Sequence, residues 1–164
     1  MSKPDDKEKY FDPKEYHTIT VGLETSKEAG RKSVDLMATL LKDPNDADTK
    51  KLYFDKLKKD ANAVQQLIDA LQIPQLEKYR ITLLTFCWES GADFSKHFIF
   101  FIDLVITSDF NTSFEAFTVI ENLEGVVADV ELTTSKVKIN AALSGANAEK
   151  TPLLKQMTEY LNTL

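Results

Sequence analysis

The chain is poor in the residues on which most enzyme and metal chemistry relies. Its 164 residues include one cysteine, two histidines and five glycines, and each shortage closes off a class of function. A lone thiol, Cys87, forms no internal disulfide, which suits a reducing compartment and predicts a cytoplasmic protein. A zinc site needs about four nitrogen or sulfur ligands in close array. His17, His97 and Cys87 offer neither Cys-x-x-Cys nor His-x-x-x-His spacing. A nucleophilic pair of Cys87 and His97 is conceivable, but Cys87 follows Phe86 on an apolar face, where a free cysteine behaves as a small hydrophobe. None of Gly22, Gly30, Gly91, Gly125 and Gly145 belongs to a Gly-x-Gly-x-x-Gly or Walker loop, so the usual phosphate cradle is missing. Acid pairs such as Asp5/Asp6 and Glu121/Glu124 read as solvated charge. The expectation is a non-enzymatic protein with no cofactor, no metal ligands and no catalytic residues.

Long apolar runs are missing as well. The densest stretch, "KHFIFFIDLVI" at 96–106, places eight apolar side chains in the nine positions from Phe98 to Ile106, broken by Asp103. A membrane-spanning helix needs roughly 20, so no membrane partner is expected. The opening "MSKPDDKEKYFDPKEY" has no apolar core of a secretory leader. Arginine is scarce too, occurring only as Arg31 and Arg80, and 20 basic residues against 26 acidic ones give a formal net charge of −6 and a pI near 5.0. That balance works against a whole-protein electrostatic hold on nucleic acid or anionic lipid.

What is present is helical. Residues 1–24 read as a flexible N-terminal arm, rich in charge and closed by an extended "TITVGL" lead-in, and residues 25–164 as a single all-helical domain. Thr25 with Glu28 forms a capping-box pair. Val34, Met37, Leu40 and Leu41 then recur at helical spacing until "KDPND". A second helix spans roughly 47–59 through Leu52, Tyr53 and Leu57, and a third starts at Asp60 or Asn62. Pro74 opens a fourth, and Asp93 caps a fifth that carries Phe94, Phe98, Phe101, Ile102 and Val105. This fifth helix is apolar nearly all round and therefore predicts cover on several sides. Thr112 with Glu115 reads as a second capping box, heading a helix that Gly125 ends. Residues 126–143 are rich in β-branched side chains, with a kink or break expected at "TTS" 133–135. Thr151 and Pro152 start the last helix.

About eight helices with short connections predict an all-α fold of stacked antiparallel pairs. "Leu67-Ile68-Asp69" and "Phe101-Ile102-Asp103" echo each other at a separation of 34 residues. The stretch "LMATLLKDPNDADTKKLYFDKL" at 36–57, with its Asp43-Pro44 turn and lysine-led second helix, resembles a HEAT-type repeat. Arg80 in "EKYRITLL" resembles the basic residue near the start of such a second helix. The resemblance covers about 34–124 and implies a HEAT-like α-solenoid whose usual business is binding other macromolecules. The family's turn acid and following basic residue are incomplete, since Asp109 is followed by Glu115 and Arg80 is preceded by Pro74. An irregular helical bundle stays open as the alternative.

One local concentration of charge stands out. "KKLYFDKLKK" at 50–59 carries Lys50, Lys51, Lys56, Lys58 and Lys59 against Asp55 alone, interleaved with Tyr53 and Phe54. The candidate binding set is Lys50, Lys51, Tyr53, Lys56, Lys58 and Lys59. A protein partner is expected. The alternative is nucleic acid or another polyanion held by the same helix, and the bland reading is a solvated face balanced by Asp43, Asp46, Asp48 and Asp60.

Overall fold

Aspartate side chains cap the starts of three helices among the described residues. The computed structural model describes the backbone of residues 28–164 and the side chains from residue 32 onward. The expected N-terminal arm, its extended lead-in and Thr25 lie outside these residues. Eight α-helices follow: α1 (Glu28–Lys42), α2 (Ala47–Lys59), α3 (Ala61–Gln72), α4 (Arg80–Glu89), α5 (Phe98–Thr107), α6 (Phe110–Glu121), α7 (Asp129–Ser144) and α8 (Thr151–Leu161). Two short 3-10 segments, Pro74–Tyr79 and Ser95–His97, precede α4 and α5. The described residues contain no strand, so the chain is all-α over this span.

Helices α2 and α6 begin in the same way. Asp46 Oδ1 accepts from the Thr49 N–H at 3.2 Å while the Thr49 hydroxyl donates to Oδ2 at 2.8 Å. Asp109 repeats this with Thr112 at 3.1 and 2.8 Å. The cap expected at Thr112 therefore lies three residues earlier. A carboxylate at Asp109 takes the orphan N–H of the first turn, and Thr112 sits inside the helix as its donor. Glu115 is used elsewhere, accepting from Trp88 Nε1 at 2.6 Å. Asp60 starts α3 by accepting from the Asn62 N–H at 2.9 Å. Pro74 opens a 3-10 segment and not an α-helix. Helix α7 runs unbroken through "TTS": the Thr133 and Thr134 hydroxyls fold back onto the Asp129 and Val130 carbonyls at 2.9 and 2.7 Å, so they are satisfied without breaking the ladder.

The chain divides into two compact units, the first ending at Phe86 and the second running Cys87–Leu164. In the first, α1, α2 and α3 contact one another pairwise. They bury Val34, Leu40, Tyr53, Leu57 and Leu67, each worth about 1.5–3 kcal/mol when fully withdrawn from water. In the second, α5 contacts both α6 and α7, and α7 contacts α8. One face of the apolar run at 98–106 is the inside of this unit: Phe98, Phe101, Ile102 and Val105 are fully buried. Ile99, Phe100, Leu104 and Ile106 on the other faces are half-buried, so the helix is less completely covered than its composition predicts. Phe101 makes edge-on ring contacts with Phe94 and Phe100 at 6.1 and 5.5 Å. Lys150, at the head of α8, donates to the Ile106 and Ser108 carbonyls at 2.7 and 2.8 Å and so fills acceptors left open where α5 ends.

Gly125 does not end a helix, since α6 stops at Glu121. Its backbone instead runs against Asp93 and Ser95, and an added Cβ would overlap both side chains. A glycine is needed there for close approach. No helix among the described residues is long and apolar enough to cross a membrane.

Candidate functional site

Helix α2 was the strongest candidate in the sequence, and its geometry sorts the candidate residues into three kinds. At 3.6 residues per turn, Tyr53 and Leu57 face inward and are buried. Tyr53 is fully enclosed, edge-on to Phe86 with ring centroids 6.1 Å apart. It is a core residue and cannot present itself to a partner. Lys50 lies over the Phe54 ring at 5.8 Å from its centroid, at the edge of cation–π range. Lys56 pairs with Asp60 at 3.4 Å. Lys51, Lys58 and Lys59 are exposed. Lys51 and Lys58, two turns apart, share one flank of the helix, Lys56 and Lys59 the other, and Asp55 lies between them.

The basic field is therefore diluted. Residues 42–60 hold six lysines against five aspartates. The lysines do stabilise the helix locally, since Lys56, Lys58 and Lys59 fall in its last turn, where cations meet the negative end of the helix dipole. Asp46 at the other end is held below the usual carboxylate range by its hydrogen bonds from Thr49.

Sequence reasoning missed Leu52. It reads as one more apolar residue of α2, yet it is 58 % exposed. The signal was available: Tyr53 and Leu57 are four apart on one stripe, and Leu52 is a third of a turn off it. Leu52 and Leu36 form the apolar part of an open depression of about 420 Å³, framed by Lys32, Lys56, Lys59, Asp55 and Asp60.

The second unit has a contrasting surface. From Phe98 to Ser135 there are seven acids and no lysine, arginine or histidine. The β-branched segment that reads as core is largely outside: Val126, Val130 and Val137 are 94, 71 and 65 % exposed. Within α7 only Ser135 and Ile139 are buried. A smaller depression of about 200 Å³ lies where the end of α6, the 125–127 turn, the start of α7 and the end of α8 meet, lined by Ile120, Leu123, Val126, Val127, Leu132 and Tyr160.

Of the remaining chemical candidates, His97 is half-buried in the short 3-10 segment before α5, and His17 lies outside the described residues. Cys87 is buried, and desolvation pushes its thiol well above the usual range, which leaves little thiolate to act as a nucleophile. Among the described residues no three His, Cys, Asp or Glu side chains converge as a metal site. No family model, curated protein or solved structure matches the chain.

Proposed function

We propose that this chain is a non-catalytic protein-interaction module built as a small HEAT-like α-solenoid, with the outward face of α2 as a contact surface. The observation that carries this reading is Leu52, an exposed branched side chain lining a depression edged by charges of both signs. An apolar anchor inside a polar rim is the common anatomy of a protein–protein contact. A polyanion site needs one sign of charge instead, and Asp55 and Asp60 interrupt it here. The buried, protonated thiol of Cys87 also supports a binding role over covalent catalysis and fits a reducing, cytoplasmic setting.

Two features favour the solenoid arrangement over an irregular bundle. Helix α1 contacts α3, and α5 contacts α7, each one hairpin further along the chain, as stacked pairs require. The echoed tripeptides also occupy equivalent environments. Leu67 and Ile68 on α3, like Phe101 and Ile102 on α5, are buried, whereas Asp69 and Asp103 are half-buried. Both acids also accept a hydrogen bond, Asp69 from Gln65 at 2.8 Å and Asp103 from Lys138 at 2.7 Å.

The test is affinity capture from the native host with the intact chain, Leu52→Asp, and the double variant Lys51→Glu/Lys58→Glu. A protein partner retained by the intact chain and lost with Leu52→Asp, at unchanged helical content, is the expected result. Capture that ignores Leu52 and disappears with the lysine variant, or that recovers nucleic acid, would favour the polyanion alternative.

A further inference from the structure

The small depression of the second unit has a chemistry different from that of the α2 face. Its lining is apolar, formed by Ile120, Leu123, Val126, Val127, Leu132 and Tyr160. At about 200 Å³ it falls below the roughly 300–1,000 Å³ typical of small-molecule pockets. It suits a single anchoring side chain better than a metabolite. Val126 stands at its lip, 94 % exposed, an unusual position for a branched apolar residue with no local reason to face water.

The rim is acidic. Glu121 and Glu124 flank Leu123 on the α6 side, and Glu159 lies beside Tyr160; all three are exposed. Asp129 and Glu131 open α7, with Glu131 Oε2 accepting from the Ala128 N–H at 3.4 Å beside Val127. Glu121 is near enough to Tyr160 to raise its hydroxyl pKa, second to desolvation. The bases of this unit are mostly engaged or displaced. Lys138 pairs with Asp103 at 2.7 Å, Lys150 holds the carbonyls at the end of α5, and Lys155 lies one turn before Glu159 on α8. Lys96 and His97 both act on Asp93 behind Gly125, and Lys136 lies one turn beyond Leu132. Five carboxylates thus adjoin the lining residues along the chain, and Glu121 acts on Tyr160 directly, against Lys136 and Lys155 one turn away on α7 and α8.

We infer that this groove is a docking site for a cationic amphipathic helix of a partner protein, one bulky apolar side chain seated against Val126, Leu123 and Leu132 and its lysines or arginines facing Glu121, Glu124, Glu159 and Asp129. The charge complementarity selects this occupant over others. A second copy of this chain is acidic overall, with net charge −6, and meets an acidic rim with repulsion. An anionic lipid surface or nucleic acid is repelled for the same reason. An amphipathic helix presents its anchors at i, i+3 and i+4 and its charges beside them, the pattern that groove-binding helices use. The site lies in the second unit and is independent of the α2 face, so each can fail alone.

The test uses the full chain and a synthetic leucine/lysine amphipathic helix as the probe, with leucine/glutamine and leucine/glutamate versions as controls. The lysine probe should bind saturably, weaken as added salt screens the rim, and shift the NMR signals of Val126, Val127, Leu132 and Tyr160. The glutamate version should not bind. Val126→Lys, at a position too exposed to affect folding, should weaken the lysine probe about tenfold or more. Glu121→Lys/Glu124→Lys should do the same and flatten the salt dependence, whereas Lys51→Glu/Lys58→Glu on α2 should leave the groove signals unmoved. Three results would overturn the inference. One is probe binding that Val126→Lys leaves intact or that maps away from the groove. Another is self-association that depends on Val126. The third is a groove that takes the probe only after residues 1–27 are removed, which would mean that the chain's own N-terminal segment fills it.

Discussion

The α2 surface and the α6–α7 surface handle charge in opposite ways. On and around α2, six lysines alternate with five aspartates, and the signs cancel within a few ångströms, as the 3.4 Å contact of Lys56 with Asp60 illustrates. Between Phe98 and Ser135 the sequence holds seven acids and no base; Lys138, from beyond the segment, pairs with Asp103, and exposed Val126 and Val130 lie among the acids. A lysine-rich helix attracts attention in a sequence because its bases are contiguous, yet most of its field is neutralised locally. The acidic segment carries the more one-sided field although its acids are scattered through an apolar stretch. Local balance of charge, more than its density, decides what a surface can attract.

The contrast is tested first through the interior on which both surfaces rest. Phe101→Ala, at a side chain with no exposure, should cost about 3–5 kcal/mol of unfolding free energy by chemical denaturation. A cost below about 1 kcal/mol would mean that α5 is not the centre of the second unit. Next comes Gly125→Ala, expected to cost about 1–3 kcal/mol because the new methyl overlaps Asp93 and Ser95. The α2 face has no equivalent, so Leu52→Ala should leave the denaturation midpoint almost unchanged.

The paired caps give a smaller effect. Asp109→Ala should cost about 1 kcal/mol, and Asp46→Ala should act in the same direction. Hydrogen bonds from Thr112 and Thr49 hold these carboxylates below their ordinary value of 3.8. A depressed pKa contributes stability that is fully present above that ordinary value and is lost as the pH falls below it, through the folded value. Asp109→Asn keeps one acceptor for the Thr112 N–H but loses the charge and the second acceptor used by the Thr112 hydroxyl. It should therefore lower stability near neutral pH and make the acid limb of a stability–pH curve shallower. Lys138→Met removes a half-exposed pair with Asp103 and should change stability by less than about 1 kcal/mol.

Much of the fold was legible in the sequence because its punctuation is local. The bounds of α2 follow from Asp46, Asp60 and the Tyr53/Leu57 spacing, and the buried face of α5 follows from its apolar density. The displaced start of α6 was not legible in the same way. Two hydroxyl and carboxylate residues, Asp109 and Thr112, both suit a cap, and only the backbone decides which one leaves the helix. The continuity of α7 was hidden because valine and threonine favour extended structure intrinsically, while the packing of α7 on α5 and α8 overrides that preference. Of the candidate site, the lysines were legible and the exposure of Leu52 could be read from its register. The groove beside Val126 was not, since it joins side chains from α6, α7 and α8 that are up to 40 residues apart.

The measurement that bears most directly on a protein-contact role for α2 is a titration of the intact chain with single- and double-stranded DNA at low ionic strength. The expected result is no saturable binding, because Asp55 and Asp60 break the basic field beside Leu52. Binding that weakens steeply with salt and disappears in Lys51→Glu/Lys58→Glu would contradict it and make that helix a polyanion site.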